Sequence, residues 1–276
     1  MSLFSVNTNV GAMVALQSLA VINRELMTVQ RRISTGLKIS SPKDNGAIWA
    51  IAQGQRAESK AYDAVIASLQ RGQSAVDVGM AAGETVSDLL MQMKEKMVAM
   101  FDSSLTTASR KALDQDYRML RDQIDRTVNN AGFNGLNLVG PAATARGVQA
   151  LADTRGQTTV DVDAIDLSTG GTLMAGVPAD LTTLNNLVDI PAITAAIDNV
   201  NASLGRLGTG SKALDTHLNF VRKMQDTLDA SVGRLVDADL AKESARLQSL
   251  QVQQQLAIQA LAIANRAPSL LLQLFR

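Results

Sequence analysis

Cysteine is absent from this 276-residue chain, and histidine occurs once, at His217. Disulfides and thiolate metal sites are therefore excluded, and so is a metal centre built on several histidines. Aromatic residues make up 3 % of the chain. A core so poor in rings must be assembled from Leu, Ile, Val, Met and Ala, the side chains of helix-on-helix packing. Charge of either sign is not in excess, with 26 basic and 26 acidic residues. No basic surplus is available to recruit nucleic acid, and none is expected as a partner. No run is long and apolar enough to span a bilayer, so no membrane association is expected either. The opening stretch MSLFSVNTNVGAMVAL lacks a basic start, an apolar centre and a cleavage site. It predicts a chain that stays in the cytoplasm or leaves by a route without a cleaved signal.

What is present is helical periodicity. Ala15, Leu19, Ile22, Leu26, Val29 and Ile33 recur in steps of three and four, the spacing of a coiled-coil seam. Asn9 or Thr8 is placed to cap this helix, Gly36 to stop it, and Pro42 bars its continuation. A second seam begins near Asp44 and runs through Tyr62, Val65, Leu69, Gly72, Val76, Gly79, Gly83, Val86, Leu90, Met93, Met97 and Met100. Its glycines weaken the helix by up to ~1 kcal/mol each and admit a close neighbour. A third helix is predicted over about 108–131, with Leu113, Tyr117, Leu120, Ile124 and Val128 on one stripe. NNAGFNGLNLVGP then breaks the pattern with turn formers.

Residues 140–192 differ. TTVDVDAIDL alternates like a half-buried strand, and VQALADTRGQTTVDV reads as a hairpin turning at Asp153–Gly156. Helix resumes at Ile193 and keeps one seam to Leu235, with Ser211 and Gln225 as polar members and GRLGTGSK as a possible kink. The phase slips at VDADL. A last seam, Val236, Leu240, Leu247, Leu250, Ala257, Leu261 and Ala264, is expected to end at Pro268. The fold class is mainly α: long antiparallel helices in coiled-coil-like packing, a small β-hairpin region mid-chain, and discontinuous domains made by pairing the two ends.

Few residues suggest chemistry. GRLGTGSK resembles a phosphate loop, but Ser211 precedes Lys212 and no strand leads into it; a flexible point in a helix is the better reading. Asp237 and Asp239 fall at the phase slip and read as caps. His217 and Trp49 read as a helix-surface histidine and a packing anchor. Met91, Met93, Met97 and Met100 have the spacing of packing positions more than of an adaptable binding surface. The feature that resists a bland reading is the pair of apolar chain ends, notably NRAPSLLLQLFR. Each exposed large apolar side chain forgoes roughly 1.5–3 kcal/mol of burial. A partner must cover them, and further copies of the same chain are the simplest.

The motifs VNTNVGAMVALQSL, ISTGLKISSPKDNGAIWAIAQ, NNAGFNGLNLV and VDADLAKESARLQSLQVQQQLAIQALAIANRAPSLLLQLFR resemble bacterial flagellins over about residues 1–140 and 190–276. The resemblance implies an extracellular filament subunit exported by the flagellar secretion apparatus without a cleaved signal. It implies an inner tube domain of residues 1–43 plus 236–276, and a rod domain of residues 44–235 with 140–192 as its hairpin insertion. Inner-tube packing is expected of Leu19, Leu26, Ile33, Leu250, Leu261, Leu271 and Phe275. Rod-domain packing is expected of Leu69, Leu90, Leu120, Leu204, Leu218 and Leu228. The implied partners are copies of the chain, with or without sister flagellins, an export chaperone, the filament cap and hook-junction proteins. No catalytic residue, metal or cofactor is implied, and no His-Glu-x-x-His stands in the sequence. Two stretches depart from the family pattern: Asp44-Asn45-Gly46-Ala47-Ile48-Trp49 after the first helix, and Lys94-Glu95-Lys96 where the innate-receptor site needs arginines. Weak or no receptor recognition is the expectation. The alternatives are a hook–filament junction protein, which shares the terminal helices, and a secreted coiled-coil effector with a stable monomer.

Overall fold

The computed structural model describes residues 8–141, 144–182 and 188–274, with side chains described as far as residue 266. The described residues form five long helices, two small antiparallel hairpins and a short 3-10 turn at Thr172–Met174. They fall into two compact units. One joins the residues up to Ala57 with those from Thr227 onward, and the other spans Glu58–Asp226.

The first unit is built on α1 (Val10–Thr35) and α5 (Leu240–Leu274), which lie antiparallel along each other. Asn9 caps α1: its Oδ1 accepts from the Ala12 amide at 3.0 Å, satisfying a donor the first turn leaves free. Gly36 ends the helix in the left-handed region, φ 70°, where a side chain would be strained. Beyond it, Asp44 ties the connection together. Its Oδ2 accepts from the amides and hydroxyls of Ser40 and Ser41 at 3.1–3.2 Å. Its Oδ1 takes a 2.8 Å bond from Arg31. Partial burial alone would raise this carboxyl, but the serine donors and the Arg31 charge together hold it below its ordinary value.

α2 (Gly46–Met100) starts under an Asn45 cap, whose Oδ1 accepts from the Ile48 amide at 3.1 Å. α4 (Asp189–Val236) ends where Val236 O takes the Lys38 amide at 2.7 Å, and Ala238 N donates to Gly36 O at 2.9 Å. Ile39, Ala52, Val232 and Val236 form a small core there, with Trp49 and Ile48 packed on it. Asp239 then caps α5 by accepting from the Lys242 amide at 3.1 Å.

The second unit holds the larger core. Val65, Leu69, Val76, Val86, Leu90, Met93 and Met97 of α2 are buried, as the seam predicts. They share one cluster with Tyr117, Ile124 and Val128 of α3 (Thr107–Asn130) and with Ile193, Val200, Leu207, Leu214, Leu218 and Val221 of α4. Gly72 and Gly83 are required by close approach: a Cβ at Gly83 would stand 2.5 Å from Leu204 Cδ2, and one at Gly72 2.8 Å from Val148 Cγ1. Gln225, a polar member of the α4 seam, donates to Asp63 Oδ1 at 2.7 Å and to Ser59 O at 3.2 Å.

Two hairpins follow α3. β1 (Gly132–Phe133) and β2 (Leu136–Asn137) close around Asn134 and Gly135, with φ of 51° and 79°. Two positive φ values in a two-residue loop are what the right-handed strand twist favours. β3 (Val148–Leu151) and β4 (Thr159–Val162) pair with Val148 opposite Val162. Their loop is organised by Asp153, which accepts from the Arg155 and Gln157 amides and the Thr158 hydroxyl. His217 reaches this hairpin, its Nε2 2.8 Å from Ala152 O. The irregular segment after β4 is fastened to α3. Asp125 accepts from Thr169 Oγ1 at 2.6 Å and from its amide at 3.0 Å. The buried Tyr117 hydroxyl donates to Pro178 O at 2.8 Å, and Asp114 accepts from the Leu181 amide at 2.7 Å. Burial pushes the Tyr117 phenol well above its ordinary range.

GRLGTGSK lies within α4, which is helical throughout residues 205–212. One expectation is corrected. α5 does not end at Pro268 but continues to Leu274. Proline has no N–H to offer the carbonyl four residues back, here Ala264 O. That carbonyl has another donor: Asn9 Nδ2 lies 2.7 Å away.

Candidate functional site

Among the described residues no cluster of His, Cys, Asp or Glu is arranged to hold a metal ion, and no helix is long and apolar enough to cross a membrane. The concave surfaces are shallow and structural in character. The cleft of about 390 Å³ beside Met100, Arg110 and Leu181 includes Asp114, already engaged by Arg118 and the Leu181 amide. The distinctive surface is apolar and lies on α1 and α5.

Among the described side chains of α1 and α5, Val29 and Leu250 are the fully buried large apolar ones. Half-buried Leu19, Leu26 and Ile33 share the stripe of α1 that carries Val29, and half-buried Leu261 lies three turns beyond Leu250 on α5. This stripe is the seam between the two helices. Polar pairs flank it: Gln254 Nε2 donates to Asn23 Oδ1 at 2.7 Å, Arg246 meets Glu25 at 3.1 Å, and Arg32 meets Glu243 at 3.0 Å.

Away from the seam the helices stay apolar. Val10, Val14 and Val21 stand exposed at i, i+4 and i+11, which is one helical stripe. Met13, Leu16 and Met27 form another. On α5, Val252, Leu256 and Ile263 repeat the i, i+4, i+11 spacing, and Ile263 is 72 % exposed. Leu240 and Ile258 are exposed as well. A continuous set of this kind marks an interaction surface, whereas single exposed apolar residues are ordinary. Sequence periodicity picked out the seam residues, and Leu240 with them although it stands exposed, and passed over the rest. The signal for them was present in the same segments: both helices carry apolar residues on more than one face.

Of the other expected residues, Leu69, Leu90 and Leu218 are buried in the second unit, with Leu120 and Leu204 packed against the same core. Leu228 is half-buried and belongs to the first unit. The Leu271 side chain and Phe275 lie outside the described residues.

Residues 6–143 match the bacterial flagellin N-terminal helical region, and residues 190–275 match the bacterial flagellin C-terminal helical region. The chain is 51 % identical to flagellin FljK of Caulobacter vibrioides, covering 100 % of both chains. It is 36 % identical to a flagellin of Brucella melitensis, covering 99 % of both. Among solved structures, a putative flagellar hook-associated protein from Vibrio parahaemolyticus matches with a TM-score of 0.58 at 16 % identity, over 70 % of this chain and 100 % of that one. That likeness shows the fold alone. Full-length identity separates the filament subunit from the junction protein, and the middle of the chain is too short for a large outer domain. The chain therefore belongs to the bacterial flagellins, the structural subunits that self-assemble into the extracellular flagellar filament of swimming bacteria.

Proposed function

We propose that the exposed stripes of α1 and α5 are the contacts through which copies of this chain pack into the inner tube of the filament. The observation that carries this reading is the eleven exposed large apolar residues among the described side chains of these two helices: Val10, Met13, Val14, Leu16, Val21, Met27, Leu240, Val252, Leu256, Ile258 and Ile263. At about 1 kcal/mol each for the half still in water, their burial is worth on the order of 10 kcal/mol. Association and ordering draw on that gain. The contact joins different surfaces on successive copies and so builds an open helix.

In this reading the tube domain is residues 1–43 with 236–276, and residues 44–235 are the rod domain, with 140–192 as its insertion. Leu19, Leu26, Ile33, Leu250 and Leu261 hold the terminal helices together, and Leu271 and Phe275 extend that packing. α1 and α5 order fully on assembly, when neighbours cover them. The chain leaves the cell through the flagellar secretion apparatus without a cleaved signal. An export chaperone shields the C-terminal segment on the way, and the cap and hook-junction proteins meet the filament at its ends. The role is structural, with no catalysis and no cofactor.

The test is seeded polymerisation of Leu256→Asp. Wild-type chain should sediment as filaments and the variant should stay soluble, with the second unit folded in both. Normal filament yield from the variant would overturn the assignment.

A further inference from the structure

Asn9 is asked to serve two helices at once. Its Oδ1 caps α1 by accepting from the Ala12 amide at 3.0 Å. Its Nδ2 crosses to α5 and donates to Ala264 O at 2.7 Å. That carbonyl lies in the interior of α5 yet has no donor there, because the residue four positions on is Pro268, which has no N–H. The helices approach closely here: a Cβ at Gly11 would stand 3.9 Å from the Ala264 Cβ.

We infer that Asn9 supplies the hydrogen bond Pro268 withholds, so that α5 continues as a helix past Ala264 only when the start of α1 is docked beside it. One carboxamide then makes the ordering of the two chain ends a single event. It also sets their register. A heptad slip would leave apolar residues of α5 on the seam. It would carry Ala264 away from Asn9, leaving a carbonyl without a donor. The bridge between the Gly36–Ile39 and Val236–Ala238 segments fixes the same pair of helices at their other end. The contact lies within one chain; the inference rests on the assembly reading only for the state in which α1 and α5 are both ordered.

Replacing either partner separates the two roles of Asn9. Asn9→Asp keeps a good cap but removes the donor and sets a carboxylate against the Ala264 carbonyl. Pro268→Ala returns an N–H to α5, so Ala264 O no longer needs Asn9. The experiment measures the critical concentration for seeded polymerisation of wild type, N9D, P268A and N9D/P268A, with amide exchange over residues 262–269 in the sedimented polymer. N9D should raise the critical concentration about tenfold and speed exchange in that segment. N9D/P268A should return to within about twofold of P268A alone. Asn9→Ser, which caps but cannot reach Ala264, should behave like N9D and be rescued in the same way. Wild-type filaments with N9D and N9D/P268A equally defective, or N9D indistinguishable from wild type, would overturn the inference. A wild-type chain that forms no filaments would contradict the assembly reading instead.

Discussion

The two compact units spend their apolar residues differently. In Glu58–Asp226 the stripes of three helices converge on one core, in which Leu69, Leu90, Met93, Met97, Tyr117 and Ile124 are fully buried. In the other unit, among the described residues, α1 and α5 bury Val29 and Leu250 and leave eleven large apolar side chains exposed. Two helices enclose only the strip between them, whereas three or more with a hairpin enclose a volume. The lesson is that apolar content does not measure independent stability. What counts is how many faces of each helix have a partner, and the terminal helices have faces left over for other copies of the chain.

Substitutions at the two kinds of position should separate assembly from folding. Leu256→Asp or Ile263→Asp should raise the critical concentration by about a hundredfold or more, the equivalent of about 2.8 kcal/mol. Melting of the second unit should move by less than about 0.5 kcal/mol, since these side chains are exposed in the single chain. Sedimentation and calorimetry read the two effects independently, and a shared loss would break the comparison. Leu90→Ala should do the reverse. It should cost the second unit about 2–5 kcal/mol by leaving a cavity, visible as a lowered denaturation midpoint.

A smaller effect is expected where α3 holds the irregular segment. Asp125→Ala removes both bonds to Thr169 and should cost roughly 1–2 kcal/mol. Faster amide exchange should then be confined to the residues around Thr169; an equal loss across the whole core would contradict so local a role.

The smallest effect is acid sensitivity at Asp44. Its carboxyl is held below its ordinary value, 3.8. Its contribution is therefore present above that value and lost as pH falls through the depressed one. Trp49, the only tryptophan, packs on the small core beside this connection and reports on it by fluorescence. Between about pH 5 and about pH 2 the wild type should lose more stability there than Asp44→Asn. Equal losses would remove Asp44 from the account.

Much of the fold was legible because helix periodicity is local. The α2 seam, the Gly36 stop, the Asn9 cap and the Asp153–Gly156 turn depend on residues within a few positions of one another. What was not legible depends on distant ones. Pro268 reads as a helix end unless it is known that the Asn9 carboxamide stands beside Ala264 O. FNG reads as a loop because strands of two residues are too short to alternate. The apolar faces of α1 and α5 were half legible: spacing finds the strongest stripe on a helix, here Leu19, Leu26 and Ile33. It cannot say which of several apolar stripes the chain's own second helix will cover. Val252, Leu256 and Ile263 were left uncovered by that choice, which only the paired helices reveal.

The most direct test is amide exchange on wild-type chain before and after polymerisation on filament seeds. The account predicts that Glu58–Asp226 is protected in both states, while residues 10–35 and 240–264 gain protection on assembly. Terminal helices equally protected in monomer and filament, or a second unit that gains protection alongside them, would contradict it.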